Sequence, residues 1–274
     1  MLSESGLSAR DVVVGYEGKP VLHGVSISLH HGDAVAVIGP NGAGKSTLLN
    51  TLAGALKATS GGVSLDGVPL QSIARRDLAK RIAVVPQRLT IGFGLTGLDV
   101  VRLGRTPYLG RFGSHCKSDR EAVDRAIEDT DCSGFAARAY SSLSGGEAQR
   151  IILAMALAQE TSYLLLDEPT VHLDLGQQWK FMQTLVALRQ ARNVGILAVI
   201  HDLSLAGIGF DRVVLLAGGR IIADGTASEV ITEVNVSTGF DAPVKVWQDG
   251  TKVRVVLDPT SSIVIPRVRD SNDA

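Results

Sequence analysis

The 274 residues are 45% hydrophobic and carry 27 basic against 28 acidic side chains, for a net charge of -1. A chain of this kind buries one sizeable core, as a single large domain or a domain with a subdomain, and full disorder is excluded. The charge balance also excludes a general basic field, so no nucleic acid or anionic membrane is expected as the main partner, and any phosphate binding must be local.

In chain order, Met1-Leu2-Ser3-Glu4-Ser5 lacks the basic head and apolar core of a secretory signal. Asp11 to Tyr16 and Val25 to Leu29 read as short strands joined through Glu17-Gly18-Lys19-Pro20, an opening antiparallel ribbon. After the turn at His31-Gly32-Asp33, Ala34 to Ile38 reads as a buried strand, and Thr47-Leu48-Leu49-Asn50 opens a helical pattern. Between them, Gly39-Pro40-Asn41-Gly42-Ala43-Gly44-Lys45-Ser46-Thr47 has the G-x-x-x-x-G-K-[ST] spacing of a phosphate-binding loop. Its glycines let backbone N-H groups curl round phosphates while the helix that follows points its positive end at them. Lys45 is placed to reach the β and γ phosphates of a nucleotide triphosphate and Ser46 to bind Mg²⁺.

Further buried strands are expected at Ile82 to Val85, Tyr163 to Leu166, Gly195 to Ile200 and Val213 to Leu216, with helical patterns between several of them. This alternation predicts an α/β core with a mainly parallel sheet. Residues of about 90 to 160 interrupt it, because Asp99 to Gly104, Lys117 to Thr130 and Glu147 to Gln159 look helical with no convincing strand among them; we read an inserted helical subdomain. Near the end, Val244 to Gln248 and Thr251 to Leu257 flank Asp249-Gly250, a hairpin signal, and the tail beyond Pro266 is polar. The apolar runs are far shorter than the ~20 residues that span a bilayer, so no crossing of a membrane is expected. Cys116 and Cys132 form no metal-ligand or redox spacing and fit free thiols in a reducing cytosol.

Two further constellations carry chemistry. Leu164-Leu165-Leu166-Asp167-Glu168 is a buried strand ending in two carboxylates, at the sheet edge where parallel sheets place their ligands. Asp167 is a candidate Mg²⁺ ligand and Glu168 a candidate base that polarises the attacking water. Leu143-Ser144-Gly145-Gly146-Glu147 starts a helix whose N-terminus can contact phosphate; as plain structure it is a capping box, Ser144 with Glu147 at the third position. One chain has no obvious way to use both helix N-termini on one nucleotide.

Together these motifs, in this order over roughly residues 7 to 235, resemble the ATP-binding cassette (ABC) ATPases. The resemblance implies a P-loop NTPase core, about 7-89 and 161-235, with an N-terminal antiparallel β subdomain, a helical signature subdomain at about 90-160, and a C-terminal β extension at about 236-266. It implies ATP and Mg²⁺ as cofactors and a head-to-tail homodimer, in which Ser144, Gly145, Gly146 and Glu147 complete the site of the second copy. It implies Tyr16 as the platform for adenine, Gln87 as the residue sensing Mg²⁺ and water while hinging the helical subdomain, and Pro169-Thr170-Val171-His172-Leu173-Asp174 as the loop crossing the dimer interface, with Asp174 in the family's acidic position. It implies His201 as the switch histidine that contacts the γ phosphate. The crossing loop carries Val171-His172 where many relatives have small residues, and Ala148 replaces a polar residue common after Glu147. His30-His31 is expected as a polar turn, His23 and His115 as surface residues, and Trp179 and Trp247 as packing residues.

Without a membrane span, the resemblance implies a peripheral subunit at the cytoplasmic face of the inner membrane, docked on separate permease subunits and served indirectly by a substrate-binding protein. The stretch Leu103 to Gly113, with Leu173 to Gln178 downstream, is similar to the importer branch for iron siderophores, haem or cobalamin; as plain structure, Arg105 and Arg111 would form a solvated basic face. Alternatives are a soluble ABC ATPase acting on ribosomes or DNA, an importer of another cargo such as a metal ion, and a small-molecule kinase. The kinase reading leaves Ser144-Gly145-Gly146 and His201 idle.

Overall fold

The computed structural model describes residues 5-87, 89-91, 94-110, 116-171, 173-249 and 252-258. Strands β1 (Leu7–Tyr16) and β2 (Lys19–Leu29) form the opening antiparallel ribbon, as their alternation requires. The turn is shorter than expected: Lys19 and Pro20 already pair with Tyr16 and Gly15, leaving Glu17-Gly18 as a two-residue turn with φ of 50° and 80°. Two positive φ values match the right-handed twist of the flanking strands. The chain then runs through β3 (Ala34–Ile38) and α1 (Lys45–Leu52) to β4 (Ser60–Leu65) and β5 (Val68–Pro69), two strands not anticipated above. They complete an antiparallel sheet in the order β2-β1-β4-β5.

After α2 (Arg75–Leu78) and β6 (Ile82–Val85) comes the helical insertion of α3 (Gly97–Leu103), α4 (Lys117–Asp129) and α5 (Gly145–Ala158). Among the described residues its only β feature is an isolated bridge between Thr96 and Ala139. The core resumes with β7 (Tyr163–Asp167), α6 (Leu175–Arg192), β8 (Gly195–Val199), α7 (Leu203–Ala206), β9 (Arg212–Ala217) and β10 (Arg220–Gly225). Then follow α8 (Ala227–Val230), α9 (Glu233–Phe240) and the hairpin of β11 (Val244–Asp249) and β12 (Lys252–Leu257). Gly250, Thr251 and the tail from residue 259 lie outside the described residues, as do His172, Arg111, Phe112, Gly113 and His115.

The large sheet has the order β10-β9-β3-β8-β7-β6, parallel from β9 to β6, with β10 antiparallel at the edge. Its strands read as unbroken apolar runs because both faces are covered. In β3, Ala34, Ala36 and Ile38 join one core with the helical insertion and α6, while Val35 and Val37 join a second core with α1 and the antiparallel sheet. The sheet is therefore sandwiched, and β3 at its centre delivers the phosphate loop.

The expected solvated basic face is corrected at Arg105, which is 3% exposed. Its Nε donates to Asp119 Oδ1 at 2.9 Å, its Nη1 to Ala158 O at 2.8 Å and Glu160 Oε2 at 2.9 Å, and its guanidinium lies 3.8 Å from the centre of the Tyr108 ring. A planar fork with several donors satisfies all these partners at once, which is how a buried arginine becomes tolerable. Gly104 beside it is packed so closely that a Cβ there would sit 2.1 Å from Met155 O. Trp179 and Trp247 are 53% and 54% exposed rather than packed: Phe181, Met182, Leu185 and Leu188 form the buried face of α6, and Trp247 alternates out of the hairpin.

Candidate active site

The C-terminal ends of β3, β8 and β7 lie side by side, so the segments that follow them converge. Gly39 leaves β3 with φ of 149°, and a Cβ at that position would fall 2.0 Å from Leu216 O of β9. Only glycine fits so close a backbone approach. The loop is braced from behind by the Gly218-Gly219 turn, where Gly219 N donates to Ala43 O at 3.2 Å. That brace was not recognised from sequence, although the Gly-Gly pair after an apolar run was a turn signal.

Lys45 opens α1 and is 5% exposed; its Nζ donates to Gly39 O at 2.9 Å and Pro40 O at 2.8 Å. Burial pushes its pKa down, against the Glu168 and Asp167 carboxylates, which pull it up. Ser46 Oγ donates to Asp167 Oδ1 at 3.0 Å. Burial pushes the Asp167 pKa up and nearby Glu168 adds to this, while the Ser46 hydrogen bond, Lys45 and His201 oppose it. Glu168 is held with φ of 50°, its N-H donating to Val199 O at 3.2 Å, so its side chain turns away from the strand direction. Gln87 Nε2 donates to Glu168 Oε2 at 2.7 Å, and His201 Nε2 meets Glu168 Oε1. Lys45, Ser46, Asp167, Glu168, Gln87 and His201 are thus one cluster assembled from β3, β6, β7 and β8.

The remaining predicted residues fall around it. Pro40, Asn41, Gly42, Ala43, Gly44 and Thr47 belong to the loop and the first turn of α1. Tyr16 is 50% exposed at the tip of the β1-β2 hairpin, which abuts the loop: Val21 and Leu22 crowd Gly44. Asp174 caps α6, accepting from Gln177 N at 2.8 Å.

Ser144, Gly145, Gly146 and Glu147 are not brought into the cluster. Ser144 Oγ accepts from Glu147 N at 3.3 Å and Glu147 Oε2 accepts from Ser144 N at 2.8 Å, the reciprocal capping box. Arg138 Nη1 pairs with Glu147 Oε1 at 2.7 Å, and the Ser144 N-H bond holds the Glu147 pKa down, with Arg138 adding. Gly146 faces Gln177 at the start of α6.

The chemistry of the cluster is that of a triphosphate site. A buried ammonium folded onto carbonyl oxygens awaits an anion, and the left-handed loop presents N-H groups to it. Among the described residues no group of three or more His, Cys, Asp or Glu forms a metal cage. Ser46 and Asp167 instead offer two hard oxygen donors, which fits Mg²⁺ arriving with phosphates rather than a resident ion.

Residues 22–171 match the family described as ABC transporter. The hemin import ATP-binding protein HmuV of Streptomyces coelicolor is 44% identical over 230 residues, covering 84% of this chain and 81% of its own length. Among solved structures, an ABC transporter assigned to the metal-chelate type, in an inward-facing conformation, matches with a TM-score of 0.80 at 27% identity, covering 93% of this chain and 97% of that one. The dimeric structure of the bacterial ABC transporter cassette MJ0796 matches with a TM-score of 0.71 at 28% identity, over 80% and 97% of the two chains.

Proposed function

The chain belongs to the ABC transporter family and is an ATPase coupled to transport, and from that premise we propose that it powers an importer for an iron chelate such as haem or a siderophore, or for cobalamin. The observation that carries the catalytic reading is the suspension of Glu168 between Gln87 and His201, one residue beyond the carboxylate bonded to Ser46. The importer reading rests on likeness to the hemin import protein and to the metal-chelate type transporter.

In this reading Tyr16 stacks on adenine, the N-H groups of Gly39 to Thr47 wrap the phosphates, and Lys45 leaves its carbonyl partners for the β and γ oxygens. Ser46, Asp167 and Gln87 would hold Mg²⁺, which would supply charge neutralisation for the phosphates. Glu168 accepts a proton from the attacking water, and His201 positions the carboxylate and faces the γ phosphate. Most of the stabilisation comes from fixed donors and charge in a dry site.

The site is completed by Ser144, Gly145, Gly146 and Glu147 of a second copy, in a head-to-tail homodimer on separate permease subunits at the cytoplasmic face of the membrane. Its support is that the Ser144 helix lies outside the Lys45 cluster of its own chain and that the similar MJ0796 cassette is dimeric. Among the described residues no helix is long and apolar enough to cross a membrane. The parts follow as core (about 7-89 and 161-235), helical module (about 90-160) and C-terminal extension (about 236-266).

Purified chain given ATP and Mg²⁺ should release inorganic phosphate with no phosphorylated acceptor; a phosphorylated small molecule would make it a kinase. Isolation of the intact membrane complex with a metal chelate bound tests the cargo, and another class of bound molecule would replace it.

A further inference from the structure

We infer that the C-terminal hairpin is a positioning element for His201, a role that rests on the reading of His201 as the switch residue. The switch segment has two sides. Leu205 and Ala206 of α7 are buried in the core, while His201, Asp202, Leu203 and Ser204 border an apolar cleft of about 280 Å³. The opposite wall of that cleft is built by Phe240 of α9 and by Val255 and Leu257 of β12, and β12 packs directly on α7.

The hairpin is made for this face. Cross-strand pairs Val244–Leu257, Val246–Val255 and Gln248–Val253 share one side, and Lys245, Trp247, Arg254 and Val256 take the other, with Val256 also reaching the border of the cleft. Val253 and Val244 are 5% and 8% exposed, so the inner side is seated on the core. Gln248 Nε2 pins it by donating to Ser228 O at 2.9 Å and Ile231 O at 3.1 Å. Leu257 departs from its own side: it shares the inner face yet is 70% exposed, at the edge of the cleft behind the switch segment.

His201 is held in front by the Glu168 carboxylate and joined behind to a short helix that borders the cleft on its outer side, with β12 packed alongside. The segment therefore has room to move, and the hairpin sets how far. Displacement of a catalytic contact by about 1 Å costs up to ~100-fold in rate, so the seat of α7 on β12 matters to turnover without touching ATP.

The test uses the full chain with Leu257→Asp, which removes no buried side chain, and Val255→Ala as a second variant, with His201→Ala as reference. Both hairpin variants should lower kcat by about 5- to 100-fold with KM for ATP changed less than about twofold. The His201 ring resonance should shift by NMR at an unchanged melting temperature for Leu257→Asp, and Leu257→Ile should restore turnover. Unchanged kcat, a loss carried in KM, or an unmoved His201 resonance overturns the inference. If His201→Ala keeps normal turnover, the reading of His201 falls and the hairpin role falls with it. If His201→Ala is inactive while Leu257→Asp and Val255→Ala are normal, the hairpin role alone is refuted.

Discussion

Gln87 and Glu168 share one hydrogen bond, 2.7 Å from Nε2 to Oε2, across the gap between the end of β6 and the end of β7. Gln87 follows β6 on the way to the helical insertion, so the bond ties the carboxylate to the start of that connection. With Glu168 Oε1 engaged by His201, each carboxylate oxygen has one partner and keeps a second lone pair.

Glu168→Gln tests the assignment most directly. The amide keeps the shape but accepts no proton, so turnover should fall roughly 100- to 10,000-fold while ATP binding persists. A closed dimer should accumulate with ATP and be visible by size-exclusion chromatography. Near-normal phosphate release would reject Glu168 as the base.

Gly39→Ala addresses the loop rather than the chemistry. The added methyl would sit 2.0 Å from Leu216 O, and the φ of 149° disfavours any side chain. The loop must shift away from β9, so ATP affinity should drop at least about 10-fold, the consequence of more than ~1.4 kcal/mol of lost fit. Gly42→Ala, where a Cβ meets nothing within 4 Å, should be milder despite its φ of 78°. Equal affinity in wild type and Gly39→Ala by ATP titration would contradict the close approach.

Arg105→Met probes the buried pair. It leaves Asp119, whose side chain is 4% exposed, without its guanidinium, and breaking such a pair costs about 3–5 kcal/mol. Burial pushes the Asp119 carboxyl up, but the thiol and N-H of Cys116 and the Arg105 guanidinium outweigh it and hold the group at about 2. The folded value lies below the unfolded value of about 3.9, so the unfolded chain takes up the proton first as pH falls. The contribution is complete above about pH 4 and is lost as pH falls through about 2. Melting temperatures should therefore drop over that window in wild type, with a smaller drop in Asp119→Asn. Parallel curves would exclude the pair as an acid-sensitive tie.

The difference between what was legible and what was hidden follows from distance along the chain. Gly39 to Thr47, Asp167-Glu168 and Ser144 to Glu147 are local arrangements, so spacing exposes them as a phosphate loop, a strand ending in two carboxylates and a capping box, while the place of Ser144 to Glu147 in a second copy's site comes from the resemblance alone. The link from Gln87 to Glu168 joins positions 81 residues apart; the family resemblance implies a role for Gln87 toward Mg²⁺ and water, but the bond to Glu168 has no signal in the sequence. β4 and β5 were missed because Ser60-Gly61-Gly62 has no apolar alternation, although Asp66-Gly67, with φ of 50° and 77°, was a hairpin signal. Arg105 read as solvated because a single arginine in sequence carries no sign of the Asp119, Glu160 and Tyr108 that surround it.

A composite site makes the strongest prediction about assembly. Ser144 and Glu147 cap their own helix and make no hydrogen bond to Lys45 or Glu168 among the described residues; under the proposed head-to-tail dimer, an isolated copy holds two half-sites. Lys45→Ala removes the ammonium from the loop half, and Ser144→Arg blocks the helix half with a bulky cation. Each variant alone should be inactive, because both of its sites carry the defect. Mixed together, a heterodimer has one site with both defects and one with neither. Phosphate release should then return, rising with the fraction of heterodimer. Mixing that restores no activity, although heterodimers form by pull-down of differently tagged copies, would show that Ser144 serves its own chain.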